Sequence, residues 1–500
     1  MDALLSPTLS LPSQALLRTA YGALLLATLI MLLPHARRVF LTERYGGYAQ
    51  ASRLTDPIGN PIVLPLVLAL WFAAAVLLII GRHTVLAAFI NLVFCWYFFI
   101  FTRWRGLLRG MGAPGFLAYW LGACVFFLEY GLYLEPTGTL RSLALLLFQF
   151  ELAIILLSAG FYKLLSGYSA NIGMQLGMVN PMWGHWWTIY KDMPPSHWIF
   201  RLLNHLAYVS ELLFPTLVIL PATRWVGGLI LLVTFFFITT QIRLWLLAEM
   251  VMVSSIIYYP PGSPPDALIT SAFPYTSTFT TNLTAPLSLN LGLAFGLILY
   301  LALLPAAFCG LWFNALLKRS LPPPFQALLD SFSHVFGLSL WRVFTADLTS
   351  FFVNIWIRQP GTTHEMLWAR WGAWQWSQWL RYQLVSEAIC VTSLFTTLKY
   401  YPSNKNIFRD RLLRYARTIP LPSHSHLRFE YVSVRPLASR FEFIPAAEYI
   451  VDATLGTVEE RILDPTAPVY QPHAASRVFE ADRPGSYAPR REPTGSARVG

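Results

Sequence analysis

The residues in this chain that could do chemistry are ionisable side chains set in apolar runs. One run, Leu147 to Gly167, carries Glu151 and Lys163. A second follows the Trp-rich connector Pro181 to Tyr190 and carries Asn204, His205, Tyr208 and Glu211. Charge inside a lipid-length helix is rare because stripping water from it is costly, so each such residue marks a functional site by default. Lys163 and Glu151 lie roughly 18 Å apart along one helix, too far to pair, so Lys163 needs another partner or a wet cavity. Its chemistry would be that of a base, with Glu211 and Tyr208 orienting and His205 or Arg243 steadying negative charge. The simpler alternative is a lysine that snorkels along its own stem to the interface.

Asn204, Tyr208 and Glu211 fall at i, i+4 and i+7, one helical face, with His205 beside it. A polar stripe in an apolar helix must face the bundle interior, either as interhelical glue or as part of a site. Glu129 and Glu249 are further candidates for that interior. The connector's Trp183, Trp186, Trp187, Tyr190 and Trp198 suit an aromatic belt at the interface, or a lid over a lipid or quinone-like ligand. The candidate catalytic set is therefore Lys163, Glu211, Tyr208 and His205. The candidate ligand-binding set is Glu151, Asn204, Arg243, Trp186 and Trp187. No metal site is expected: Cys95, Cys124, Cys309 and Cys390 lack ligand spacing, and no phosphate-cradling glycine loop or nucleophile elbow occurs.

Elements that position such residues must be membrane helices. Of the 500 residues 55% are hydrophobic and only 12% charged. A net charge of +11 raises the question of nucleic acid. The Lys and Arg residues sit in short loops between apolar runs, not in a patch interleaved with exposed aromatics, so they read as topogenic. At about 20 residues per crossing, the apolar runs give nine spans. They are Ala15 to Leu33, Pro61 to Ile80, Val85 to Phe101, Gly115 to Tyr133, the two site helices, two from Trp225 to Tyr259 split near Gln241-Ile-Arg243, and Leu289 to Leu317. A single bent helix over Trp225 to Tyr259 is the alternative to that split. Met1 to Ser13 has no Lys or Arg and no cleavage site follows, so the first run reads as a retained anchor.

The fold expected is an all-α polytopic membrane bundle of about nine transmembrane helices with a smaller C-terminal α+β extramembrane region. Residues 1–320 form the bundle and 321–464 the extramembrane or interfacial region; 465–500 read as a disordered tail. Within the second part, Leu348 to Arg358 and Leu427 to Pro436 read as strands, Asn404 to Thr418 as a basic amphipathic helix, and Trp368 to Val385 as an interfacial helix. Basic clusters after spans one, three and nine place the N-terminus outside and the C-terminal region on the cytoplasmic (or matrix or stromal) side. Partners implied are the lipid bilayer and a membrane protein held through the C-terminal region. Asn282-Leu-Thr284 is a formal glycosylation triplet on the outer side.

Ala159-Gly-Phe-Tyr-Lys163-Leu-Leu-Ser-Gly167, the Trp-bearing connector, Leu206-Ala-Tyr-Val-Ser-Glu211-Leu-Leu-Phe-Pro215 and Pro221-Ala-Thr-Arg224 together resemble the horizontally transferred transmembrane family. That family includes vitamin K-dependent gamma-carboxylase and is distantly similar to lipase maturation factors and DoxX-like proteins. Leu340-Trp-Arg-Val-Phe344 resembles the entry to those proteins' extramembrane region. The resemblance covers spans five to eight best and implies a carboxylase-like scaffold with Lys163 at the position of the catalytic base. No histidine lies between His83 and His185, so the loop histidine used in the family's epoxidation chemistry has no counterpart here. Two readings stand: a polar intramembrane cavity for a lipidic or quinone-like ligand, or a non-catalytic scaffold, accessory subunit or assembly factor.

Overall fold

The computed structural model describes residues 6–102, 112–135, 137–244, 246–273, 285–317, 319–341, 349–359, 365–369, 383–400, 405–421 and 425–467. Among them, 8 helices are long and apolar enough to cross a membrane. In chain order they are α1 (Leu11–Leu32), α2 (Val63–Ile80), α3 (Thr84–Cys95, continued to Phe101 by a π-helical turn), α4 (Gly112–Tyr133), α5 (Thr139–Leu165), α6 (Trp198–Ile219), α7 (Arg224–Gln241) and, beyond a shorter helix α8 (Leu247–Ser254), α9 (Leu287–Leu317). Local signals explain several ends. Ser10 caps α1 by accepting from the Ser13 amide at 3.2 Å, and Gly81 ends α2 at a φ of 72°, where a Cβ would be strained. Arg103, Arg105, Arg109, the Asn282 triplet, Trp371 to Trp379, Phe344 and the tail from 468 lie outside the described residues.

The long run from Trp225 to Tyr259 breaks after Gln241, where the sequence divides it. Its second part differs from a full span. α8 and the turn Ser255–Tyr258 that prolongs it rise only roughly 20 Å together. This segment is an interior helix, with Met250, Val251, Ile257 and Tyr258 all buried. It still returns to the far end of α7: Tyr258 and Tyr259 pack on Gly228, where an added Cβ would lie 2.7 Å from the Tyr259 ring. The N-terminal end of α1 and the connector after α5 consequently sit at opposite ends of the bundle.

The helical part is apolar outside and polar inside. Ile62, Leu66, Phe295, Phe236 and Val233 are exposed, while Arg18, Glu129, Glu151, Lys163 and Glu211 are buried. Arg18 lies 3.6 Å from Glu129, which also accepts from Gln14 at 3.1 Å; Arg141 donates to the same Gln14 at 2.8 Å. Such a distribution suits hydrocarbon surroundings, where an unpaired charge facing outward is costly.

After α9 the chain turns into α10 (Pro323–Phe336), which packs back on α9. The C-terminal unit follows: β1 (Phe351–Arg358), β2 (Glu365–Ala369), α11 (Gln383–Tyr400), α12 (Lys405–Arg417), β3 (His426–Pro436), β4 (Phe441–Asp452) and β5 (Thr457–Ile462). The sheet is antiparallel in the order β2-β1-β3-β4-β5. Alternation puts Phe351, Phe429, Tyr431 and Tyr449 on one face against Phe395 of α11 and Phe408 and Tyr415 of α12. The other face is charged: Arg428 bridges Glu365 and Glu448 over the Trp356 ring. Of the expected elements, the two strands appear as β1 and β3 and the basic helix as α12.

Candidate functional site

Lys163 finds its partner on α6. Its ammonium donates to Glu211 across the α5–α6 contact, with Lys163 5% and Glu211 6% exposed. The approach depends on Gly160, one turn before Lys163: a methyl there would meet Leu212 at 3.0 Å and the Glu211 Cβ at 3.1 Å. The Tyr168 ring lies 5.9 Å from the ammonium. The second carboxylate oxygen of Glu211 is buried with no hydrogen-bond partner among the described residues. An unmatched buried acceptor costs about 1–3 kcal/mol; Glu129 and Glu249 each carry such an oxygen as well.

A strap covers this pair. After Gly167 the chain makes a tight turn through Tyr168–Ala170, passes Asn171 in a left-handed conformation, and forms a buried short helix, Met174–Val179. Asn204 holds it. The Asn204 side chain accepts from the Met174 amide at 2.8 Å and donates to Gln175 Oε1 at 2.8 Å. Gln175 in turn accepts from the Gly173 amide at 3.0 Å and donates to the Asn171 carbonyl. Asn204 and Glu211 thus share the inward face of α6 and serve different elements, the strap and the lysine.

The remaining candidates are distributed elsewhere. His205 and Tyr208 hydrogen-bond each other at 2.7 Å, but His205 is exposed among Leu202, Leu206 and Val209 on the outward side. Glu151 accepts from Trp120 at 3.0 Å and from Tyr300 at 2.5 Å, deep between α4, α5 and α9. Arg243 follows α7 and donates to the Pro181 carbonyl at 3.4 Å. Beside it, desolvation of the His185 ring and the Arg243 charge push the His185 pKa down to about 4, which keeps that imidazole neutral near pH 7. Trp186 donates to the Thr240 carbonyl at 2.9 Å, and Trp187 packs on Phe443 of the sheet at 5.7 Å. The Trp cluster is therefore a bracket between α7 and the C-terminal unit.

Sequence reasoning did not single out Tyr168, Gln175 or Asn180. Their signal was present as polar groups in the turn between two spans, masked by the tryptophans that follow. Asn180, wholly buried, donates to the Thr349 and Phe351 carbonyls at 2.8 Å each and accepts from the Met182 amide. On the outer side of α6, an apolar groove of about 390 Å³ runs along α7, lined by Leu206, Val209, Leu213, Val226, Ile230 and Val233. Neither Lys163 nor Glu211 lines it. No cluster of His, Cys, Asp or Glu with metal-holding geometry occurs among the described residues. Comparison of the chain with protein-family models, curated proteins and solved structures finds no match.

Proposed function

We propose that this is a multi-pass membrane protein on a carboxylase-like scaffold, in which Lys163 and Glu211 form an acid–base site for the polar head of a lipidic or quinone-like molecule. The observation that carries the reading is the pair itself: two opposite charges buried between two membrane-length helices, with one Glu211 oxygen left free. That oxygen is placed to take a proton from a ligand hydroxyl, and the Lys163 ammonium to stabilise the oxygen anion left behind. For Lys163 to act as the base instead, its proton must first pass to Glu211, which turns the ion pair into an amine and a carboxylic acid.

The bilayer orientation follows from charge. Arg37, Arg38, Arg44, Arg53, Lys191, Arg201 and Arg319 gather at the connector end, against Arg82, Arg141 and Arg224 at the other. The connector end is accordingly cytoplasmic (or matrix or stromal) and the N-terminus outside, with α8 supplying the return pass.

A second reading, an accessory or assembly subunit, rests on a different observation. The connector and the first loop both grip the C-terminal unit: Asn180 holds the entry to β1, and Arg38 bonds Tyr48 and Thr418. In that reading the charged sheet face around Arg428 meets a partner.

The two separate on Lys163→Arg, Lys163→Met and Glu211→Gln, purified in detergent and assayed by mass spectrometry for a co-purifying lipidic molecule. Arg stays protonated up to a pH of about 12 and cannot exchange a proton. All three variants are expected to lose the bound molecule, with Lys163→Met less stable than Lys163→Arg because it strands the Glu211 charge. Retention by Lys163→Arg, with collapse of Lys163→Met, would make the pair a structural clamp and leave the subunit reading standing.

A further inference from the structure

The helix after the last membrane-length span does not leave the bundle. α10 folds back antiparallel along α9: Asn314 donates to Gln326 at 3.0 Å, Leu329 fills the notch at Gly310, and Phe332 and Phe336 pack on Tyr300 at 5.6 and 4.6 Å. Its far end is held by α3. Trp96 donates to the Val335 carbonyl at 2.7 Å, and His334 stacks on Phe101 at 5.8 Å. Tyr300 is the residue whose hydroxyl reaches Glu151, so the tip of α10 arrives at the depth of the bundle's central carboxylate.

The flank of α10 beside that contact face carries Phe325, Leu328 and Val335, exposed by 63%, 65% and 46%. Their spacing puts them in one stripe. α9, on which α10 packs, carries its own exposed apolar row that includes Phe295, Ile298 and Leu316. At 14 residues, α10 rises roughly 21 Å, too short to cross a hydrocarbon core of about 30 Å. Non-helical backbone at membrane depth is tolerated only where protein covers it. Gly337 to Trp341, the described part of the return, packs against α3 and α4. Gly337 has a φ of 69° and is hemmed by Ile100 and Phe116, the Leu338 amide donates to the Ser333 carbonyl at 3.0 Å, and Trp341 packs on Phe116.

We propose that α10 is a re-entrant helix, dipping into the bilayer from the connector end and presenting Phe325, Leu328 and Val335 to lipid acyl chains. The proposal rests on the membrane reading above and extends it past residue 320. It moves the start of the extramembrane region to the far side of Trp341. The occupant is hydrocarbon because the stripe carries no charge, lies on a helix packed along α9, itself exposed at Phe295 and Ile298, and that helix's polar Gln326 and Asp330 bond each other at 2.8 Å.

Nitroxide labels placed singly at Phe325, Leu328 and Val335 test this in phosphatidylcholine vesicles, with exposed Cys309 replaced by Ser and each variant checked for unchanged elution. Collision with oxygen is compared with collision with a water-soluble nickel chelate. Labels at Phe295 and Ile298 on α9 control for the membrane itself, and Ser439 on the loop before β4 controls for water. The expected result is severalfold oxygen preference at all three α10 sites, matching Phe295. Nickel access at the α10 sites while Phe295 stays oxygen-rich would overturn the re-entrant helix and leave the membrane reading intact. Nickel access at Phe295 as well would overturn both. Exclusion of both reagents at α10 would mean that protein, a second copy or another chain, covers the stripe, and the lipid assignment would fall.

Discussion

At the scale of single residues, Gly160 decides whether Lys163 and Glu211 can meet. The neighbouring helix lies within 3.0 Å of where a Cβ would stand, so Gly160→Val forces α5 and α6 apart. Overpacking of this kind costs about 1–3 kcal/mol. Gly292 and Gly296 on α9 have no atom within 4 Å of that position, and there Ala is expected to be neutral or to stabilise by up to about 1 kcal/mol through helix propensity. Thermal unfolding in detergent should therefore fall for Gly160→Val and stay level or rise for Gly292→Ala. Equal losses at both positions would show that the α5–α6 approach is not a tight contact. The asymmetry follows from sites, not residue type: the same glycine is a spacer in one helix and a filler in the other.

At the scale of elements, the connector does more than link two helices. Its first half straps over the ion pair, and its second half brackets α7 and the sheet. The Phe441 amide donates to the Lys191 carbonyl at 2.7 Å, and Asn180 satisfies two carbonyls at the entry to β1. Asn180→Ala removes its two buried hydrogen bonds to the Thr349 and Phe351 carbonyls, at about 0.5–1.5 kcal/mol each. Limited proteolysis should then cut the variant between α10 and β1 faster than the native chain. An unchanged cleavage rate would mean that the connector does not anchor the sheet. Much of this scale was legible in the sequence. Lipid-length apolar runs announce their helices by composition alone, and the break after Gln241 showed in the polar pair Gln241 and Arg243. What the sequence hid was pairing. Lys163 and Glu211 stand 48 residues apart, and no periodicity within one helix reports which face another helix will meet. The helical stripe of Asn204, Tyr208 and Glu211 was readable as a face, yet only Asn204 and Glu211 turn fully inward. Tyr208 is pulled to the edge by its bond to the outward His205. The shortness of α8 and the backward fold of α10 were equally hidden, because both depend on packing against distant helices.

At the scale of the whole molecule, polar groups mark three depths of the bundle. Arg18 and Glu129 sit near the N-terminal end, Glu151 with Trp120 and Tyr300 lies centrally, and Lys163 with Glu211 lies near the connector. Both Glu151 oxygens are engaged by donors, and that cluster is glue. The Lys163 pair differs from the Glu151 cluster by the free oxygen on Glu211, a feature Glu129 shares, and this difference bears on the stability of the entire fold. Removing one member of a buried ion pair strands the other charge and typically costs about 3–5 kcal/mol, whereas replacing both with apolar side chains is often neutral or stabilising. The double variant Lys163→Met/Glu211→Leu accordingly separates the pair's contribution to folding from its work on a ligand. The measurement is the unfolding midpoint of the double variant in detergent, taken together with the mass spectrum of its bound lipid. The account predicts an unfolding midpoint at or above that of the native protein and loss of the lipidic or quinone-like molecule. A double variant that folds equally well and retains the native complement of that molecule would contradict it.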